Sequence, residues 1–173
     1  MTAGTPDGTP DGAPASVRLG RLDVRIAGSR VTLAGRMDET SRLDELVPHL
    51  PPGDLVFDCE AITFVNSFGM REWVRFVRAF SGRVAVTVER VADTLMTQMN
   101  LIPELAHRLR ITSFHAQYVC PKCGADAMPL IDAVANAAEL AQLRAPPIAC
   151  PECGATMELG DFPERYLGLF CPP

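Results

Sequence analysis

From Leu19 onward, apolar and polar positions follow regular periods. Leu22, Val24 and Ile26 alternate with polar residues, Gly28-Ser29 reads as a turn, and Val31 and Leu33 open a second strand ending near Gly35. A short helix is expected over Ser41 to Leu50, capped by Thr40 or Ser41. Leu43, Leu46, Val47 and Leu50 fall on one of its faces, and Pro51-Pro52-Gly53 stops it. Asp54 to Asp58, with Leu55, Val56 and Phe57 consecutive, has the pattern of a strand buried on both faces. The helix that opens near Ser67 places Met70, Trp73, Val74, Val77 and Phe80 on one side and Arg71, Arg75 and Arg78 on another. Further on, the pattern predicts a strand over Arg83 to Glu89 and a helix over Ala92 to about Asn100. A helical turn follows Pro103, and then a strand over Arg110 to Val119. Strands alternating with helices predict an α/β fold, a sheet with helices packed mainly on one side.

Composition adds limits. The chain has 173 residues, 47% of them hydrophobic, with mean hydropathy +0.11, enough for one core and an appendage. Residues 1–16 hold a short repeat, Thr5-Pro6-Asp7-Gly8 and Thr9-Pro10-Asp11-Gly12, and are expected to form a disordered tail. That segment lacks the basic start and apolar stretch of a secretion signal, and no apolar run approaches the ~20 residues that cross a bilayer. The expected location is therefore the cytoplasm, where thiols stay reduced and paired cysteines point to metal. A net charge of -5 opposes binding to nucleic acid or an anionic membrane surface.

The strongest chemical signal lies in residues 119–173. Cys120-Pro121-Lys122-Cys123-Gly124-Ala125 and Cys150-Pro151-Glu152-Cys153-Gly154-Ala155 are near-copies of one motif. Two residues between thiolates let both sulfurs reach one cation from a tight turn, and the glycine that follows can take the positive φ this turn needs. Two such turns make a closed tetrahedron of four thiolates, the preference of structural zinc, with no position left for reactive water. A redox dithiol needs one pair, so two matched pairs favour one structural Zn2+ over a redox site, an iron site or a disulfide. The 26 residues between Cys123 and Cys150 are expected to form a strand-turn followed by an alanine-rich helix from Asp132 to Leu143. Cys59 reads as a core thiol and Cys171 as incidental. Lys122, Arg144 and Arg165 face seven carboxylates in this zinc-ribbon-like module, which opposes the alternative function of a nucleic-acid-binding ribbon. The tail from Met157 to Phe170 is expected to pack back as core, a docking peptide being the other reading. His49, His107 and His115 are scattered, and no nucleophile-base pair accompanies them, so no enzyme is expected.

Phe64-Val65-Asn66-Ser67-Phe68-Gly69-Met70 joins the buried strand to the amphipathic helix, with Asn66 or Ser67 suited to cap it and Gly69 to let its first turn pack closely. Together with Val31-Thr32-Leu33-Ala34-Gly35-Arg36-Met37-Asp38, the Leu55-Val56-Phe57-Asp58 strand and the order of elements, this turn resembles the STAS domain, named for sulfate transporters and anti-sigma factor antagonists. The resemblance covers roughly residues 18–118. It implies residues 17–118 as a STAS-like domain, a mixed sheet with helices mainly on one face; the cysteine motifs make 119–173 a separate four-cysteine, zinc-ribbon-like module. It further implies a non-enzymatic, bacterial-type signalling adaptor that binds a regulatory protein of kinase-like or sensor type. The surface it implies comprises Asn66, Ser67, Phe68, Gly69, Met70, Arg71, Arg75 and Arg78. The family's turn carries Asp, then Ser or Thr, then a phosphorylatable Ser or Thr before glycine. Here Asn66 replaces the acid and Phe68 the acceptor, which leaves Ser67 as a displaced phosphorylation site and Phe68 as an apolar anchor.

Overall fold

The computed structural model describes residues 14–80 and 85–171. Six strands form the main sheet: β1 (Ala15–Leu19), β2 (Leu22–Ala27), β3 (Arg30–Met37), β4 (Leu55–Val65), β5 (Val86–Glu89) and β6 (Arg110–Ile111), ordered as in the chain. Pairing is antiparallel from β1 to β3 and parallel from β3 to β6. The parallel half is joined by α1 (Ser67–Phe80), between β4 and β5, and by α2 (Asp93–Met99), between β5 and β6.

Register shows which face is dry. Ile26 pairs with Val31, Val31 with Phe57 and Phe57 with Val88, so one row of apolar side chains crosses four strands. All four are buried. The neighbouring row, Arg25, Thr32, Asp58 and Glu89, points to the opposite face because side chains alternate along a strand. On that polar face Arg30 pairs with Glu89, and Arg90 pairs with Asp58 and Glu60. Trp73 and Phe76 of α1 meet Phe57 edge-on, with ring centroids 5.8 and 5.6 Å apart, which seats this helix on the apolar face.

Several local expectations are corrected. The helix expected over Ser41 to Leu50 is a three-ten turn, Leu43–His49. Pro48 lies inside it, and proline removes the amide an α-helix would use there. Neither Thr40 nor Ser41 caps this turn. Instead the Ser41 hydroxyl accepts from the Asp38 amide and donates to the Arg36 carbonyl. The single strand expected over Arg110 to Val119 is three short ones in three sheets: β6, β7 (Ser113–His115) and β8 (Tyr118–Val119). β4 runs on to Val65, well past Asp58. The tail reading of 1–16 lies outside the described residues up to 13, while Ala15 and Ser16 belong to β1, paired with β2. Residues 83 and 84 of the next expected strand are also outside the description.

After β8 come β9 (Asp126–Ala127), β10 (Leu130–Asp132), the single turn α3 (Ala137–Leu140), β11 (Ile148–Ala149) and β12 (Thr156–Leu159). The long helix expected from Asp132 shrinks to α3. Asp132 is drawn into β10, which pairs antiparallel with β7, and its carboxylate accepts from the amides of Val134 and Ala135 and turns the chain. Strands β11-β12-β8-β9 form a separate antiparallel sheet. The tail packs as core. α4 (Pro163–Tyr166) and a three-ten turn, Gly168–Phe170, bury Tyr166, Leu167 and Leu169, and the Phe114 ring contacts those of Tyr166 and Phe170. Phe162 is the exception, 75% exposed. Among the described residues no helix is long and apolar enough to cross a membrane.

Candidate metal centre and docking groove

Each cysteine pair sits at the tip of a hairpin, and the two tips have the same hydrogen bonds. In the first, the Cys120 amide donates to the Ala125 carbonyl and the Gly124 amide to the Cys120 carbonyl, both at 2.9 Å. In the second, Cys150 donates to Ala155 at 2.7 Å and Gly154 to Cys150 at 2.9 Å. Gly124 and Gly154 have φ of 76° and 72°, a left-handed conformation costly for other residues. β12 pairs with both β11 and β8, the strands that lead into Cys150 and Cys120, and so sets the hairpins side by side.

The four sulfurs lie within 4.8 Å of one another, with Cys120 to Cys153 and Cys123 to Cys150 both at 3.6 Å. A tetrahedron with metal-sulfur bonds of ~2.3 Å has edges of ~3.8 Å, so this spacing suits one cation. Disulfide-bonded sulfurs would lie at ~2.05 Å, and all six cysteines are free. Cys120 and Cys150 are buried, Cys153 is half-buried and Cys123 is exposed.

Charge makes the same demand. The Cys123 amide, bonded to the Cys120 sulfur, leads in holding that thiol down at about 6; burial opposes it and the Lys122 amide adds to it. At Cys123 the Ala125 amide acts in the same sense, yet the Cys120 sulfur, burial and the other two cysteines outweigh it and push the thiol up to about 12. The Cys120 thiolate forms readily, and Cys123 and Cys153 resist ionising beside it. A cation supplies the charge that lets all four ionise. These residues can therefore hold a metal ion.

Cys59 is fully buried on β4 and its thiol is raised by burial first and by Asp58 second, so it is inert. Cys171 is half-buried.

At the start of α1, Asn66 is the cap. Its Oδ1 accepts from the amides of Phe68 and Gly69 at 3.1 and 2.9 Å, and its Nδ2 donates to Glu39 at 2.9 Å. Gly69 lies against the end of β3, where a Cβ would stand 2.1 Å from the Met37 carbonyl oxygen. Ser67 is exposed as the first residue of α1. Phe68, placed by sequence at a loop tip, is the second residue of the helix, 52% exposed, with the Arg71 guanidinium 5.3 Å from its ring centroid.

The arginine stripe is partly committed within the chain. Arg75 bonds Glu72 at 2.9 Å, and Arg78 makes two bonds to Glu104, at 2.8 and 2.9 Å. The Arg78 hydrogen bond, against some burial, holds the Glu104 carboxyl below its ordinary range. Met70, Val74, Leu101 and Ile102 line an open groove of about 480 Å³ between α1 and the end of α2, with Ser67, Gln98 and the three arginines beside them. Met70 and the arginines belong to the surface expected from sequence. Gln98, Leu101 and Ile102 do not. An apolar residue at the end of a helix reads as core, and only the 63% exposure of Leu101 marks it as surface.

Just past the end of β3, Asp38 is buried. Its Oδ1 accepts from the Thr40 hydroxyl at 2.6 Å and the Thr40 amide at 3.0 Å, while Oδ2 is 3.5 Å from Arg21 and 3.8 Å from Arg36. The Thr40 hydroxyl first, then the Thr40 amide, overcome burial and hold the carboxyl below its ordinary range, with help from the two arginines. A depressed carboxyl contributes stability that is complete above its unfolded value and lost as pH falls through the folded one. Denaturant titrations should therefore show stability falling below about pH 4, with a shallower fall in Asp38→Asn. Equal slopes in the two proteins would remove Asp38 from the acid response.

No protein-family model matches the chain, and no curated protein sequence matches it.

Proposed function

We propose that this protein is a non-enzymatic adaptor of STAS type, cytoplasmic and bacterial in kind, that binds a regulatory protein through the 66–78 surface. One structural zinc stabilises its C-terminal module. The groove between α1 and α2 carries this reading: an apolar floor at Met70, Val74, Leu101 and Ile102, ringed by arginines, with Phe68 exposed beside it. Apolar anchors inside a charged rim are the usual composition of a protein-binding patch. The mixed sheet, with its apolar row facing α1, supports the resemblance in fold. Phe68 at the family's acceptor position favours a constitutive interface, and Ser67, exposed at the start of α1, is the hydroxyl a partner kinase would reach. Zinc is the cation that four thiolates in a closed tetrahedron favour.

Pull-down from the native cytosol tests the surface. Phe68→Asp and Leu101→Glu should each weaken capture of the specific partner by at least about tenfold, the scale of one lost interface anchor. Arg25→Glu on the polar sheet face serves as control and should retain capture. Unchanged capture by both groove variants would show that the interface lies elsewhere.

A further inference from the structure

The C-terminal segment leaves the sheet that carries the cysteines and reaches both ends of α2. β12 is held between β11 and β8, and the Gly160 amide bonds the Gln117 carbonyl at 2.8 Å where the chain departs. Arg165 folds back onto Asp161 at 2.5 Å and shapes the turn into α4. The Tyr166 hydroxyl then lies 2.5 Å from Asp93 Oδ1 and 2.8 Å from the His115 carbonyl oxygen, at the first residue of α2. Three residues on, the Leu169 amide donates to Asn100 Oδ1 at 3.1 Å, and Asn100 Nδ2 donates to the Met96 carbonyl at the other end of α2. One short segment thus grips α2 at both ends.

What it grips matters to the groove. α2 has only seven residues, too short to be stable by its own hydrogen bonds, so its position depends on packing. Gln98, Leu101 and Ile102 are one wall of the groove, and Asn100 directly precedes Leu101 in the chain. The anchor of the gripping segment is equally dependent. β8, β9 and β11 have two residues each, and sheets of such strands need another constraint to persist. The four thiolates at the hairpin tips supply that constraint when they hold a cation. Without it β12 is no longer fixed, and the effective concentration of Tyr166 and Leu169 at α2 falls.

We propose that the metal centre is a latch for the docking groove: metal binding at Cys120, Cys123, Cys150 and Cys153 fixes β12, the segment after it clamps α2, and the clamped α2 holds the groove in binding form. The proposal rests on the docking role assigned above to the groove. Loss of metal therefore lowers partner affinity at a surface that contains none of the metal's ligands. Tyr166 and Asn100 act as positioning residues.

Hydrogen exchange of the full chain reads the clamp without a partner. Removing metal with EDTA should speed exchange in residues 93–102 by about tenfold or more, together with 118–160, while β2 and β3 keep their protection. Metal-loaded Tyr166→Phe should show the rise in 93–102 with its metal content unchanged. Because coupling is reciprocal, the same variant should surrender metal to a competing chelator more readily than the wild type. Unaltered exchange of 93–102 in Tyr166→Phe overturns the latch, as does an α2 that stays protected after metal removal. Should EDTA unprotect β2 and β3 as well, the Tyr166→Phe result decides alone. Partner capture by Leu101→Glu separates the two ideas: capture that survives this change refutes the docking role, whereas the exchange pattern judges the latch by itself.

Discussion

Purified, tag-free protein should return about one equivalent of zinc per chain, and the Cys120→Ser, Cys150→Ser double variant close to none. The expected structural effect is large, because binding at a centre of four thiolates contributes on the order of 10 kcal/mol to folding a small module. Its four-stranded sheet contains few residues, and its largest buried side chain, Tyr118, donates to the Pro146 carbonyl at 2.9 Å rather than to another element of secondary structure. The double variant should lose the amide signals of residues 118–160 and become sensitive to protease there, while the β2–β3 hairpin persists. A metal-free variant whose C-terminal sheet keeps its spectrum would refute the claim that four thiolates organise this region.

The second large effect concerns Trp73. Its side chain is fully buried, edge-on to Phe57 and stacked at 6.1 Å on Phe76. Trp73→Ala should cost about 3–5 kcal/mol, since deletion of a large aromatic leaves a cavity that close-packed neighbours cannot fill. The comparison with Trp73→Phe is informative. The indole Nε1 is buried without a hydrogen-bond partner, so removing it leaves no acceptor unsatisfied. Phenylalanine should therefore cost less than about half as much as alanine. Equal losses in urea unfolding would mean that the indole's shape matters more than the buried area.

Both effects involve features that were legible as local patterns. The cysteine pairs carry their geometry in their spacing, and the structure brings all four together. Met70, Trp73, Val74 and Val77 recur at helical intervals because one face of α1 meets the sheet, and all are buried. Periodicity loses its grip where distant partners decide. Residues 110–119 alternate as one strand would, yet Ile111, Phe114 and Tyr118 pair with Val88, Ile131 and Leu159 or Ala127 in different sheets. The alanine-rich stretch after Asp132 has helical propensity, but β7 recruits its first residue into a strand. The start of β1 is not legible because Ala15 and Ser16 are small and exposed on an edge strand, which leaves only Val17 and Leu19 to carry the alternation. The groove was half legible. Its α1 side followed from helical spacing, whereas Leu101, Ile102 and the Arg78–Glu104 pair arise from a meeting of segments some 26 residues apart.

The pairing of β10 with β7 has a consequence for modularity. β10 lies between the two cysteine motifs in sequence, yet it completes a ladder whose other strand precedes the first motif. Excising the chain after Tyr118 would strip β7 of that neighbour and uncover Phe114, leaving an unpaired apolar edge prone to self-association. Nor could the ribbon be transplanted as a cassette, since Ile131 would leave behind the pocket that buries it. The two parts are interleaved, so a cut between them disturbs both.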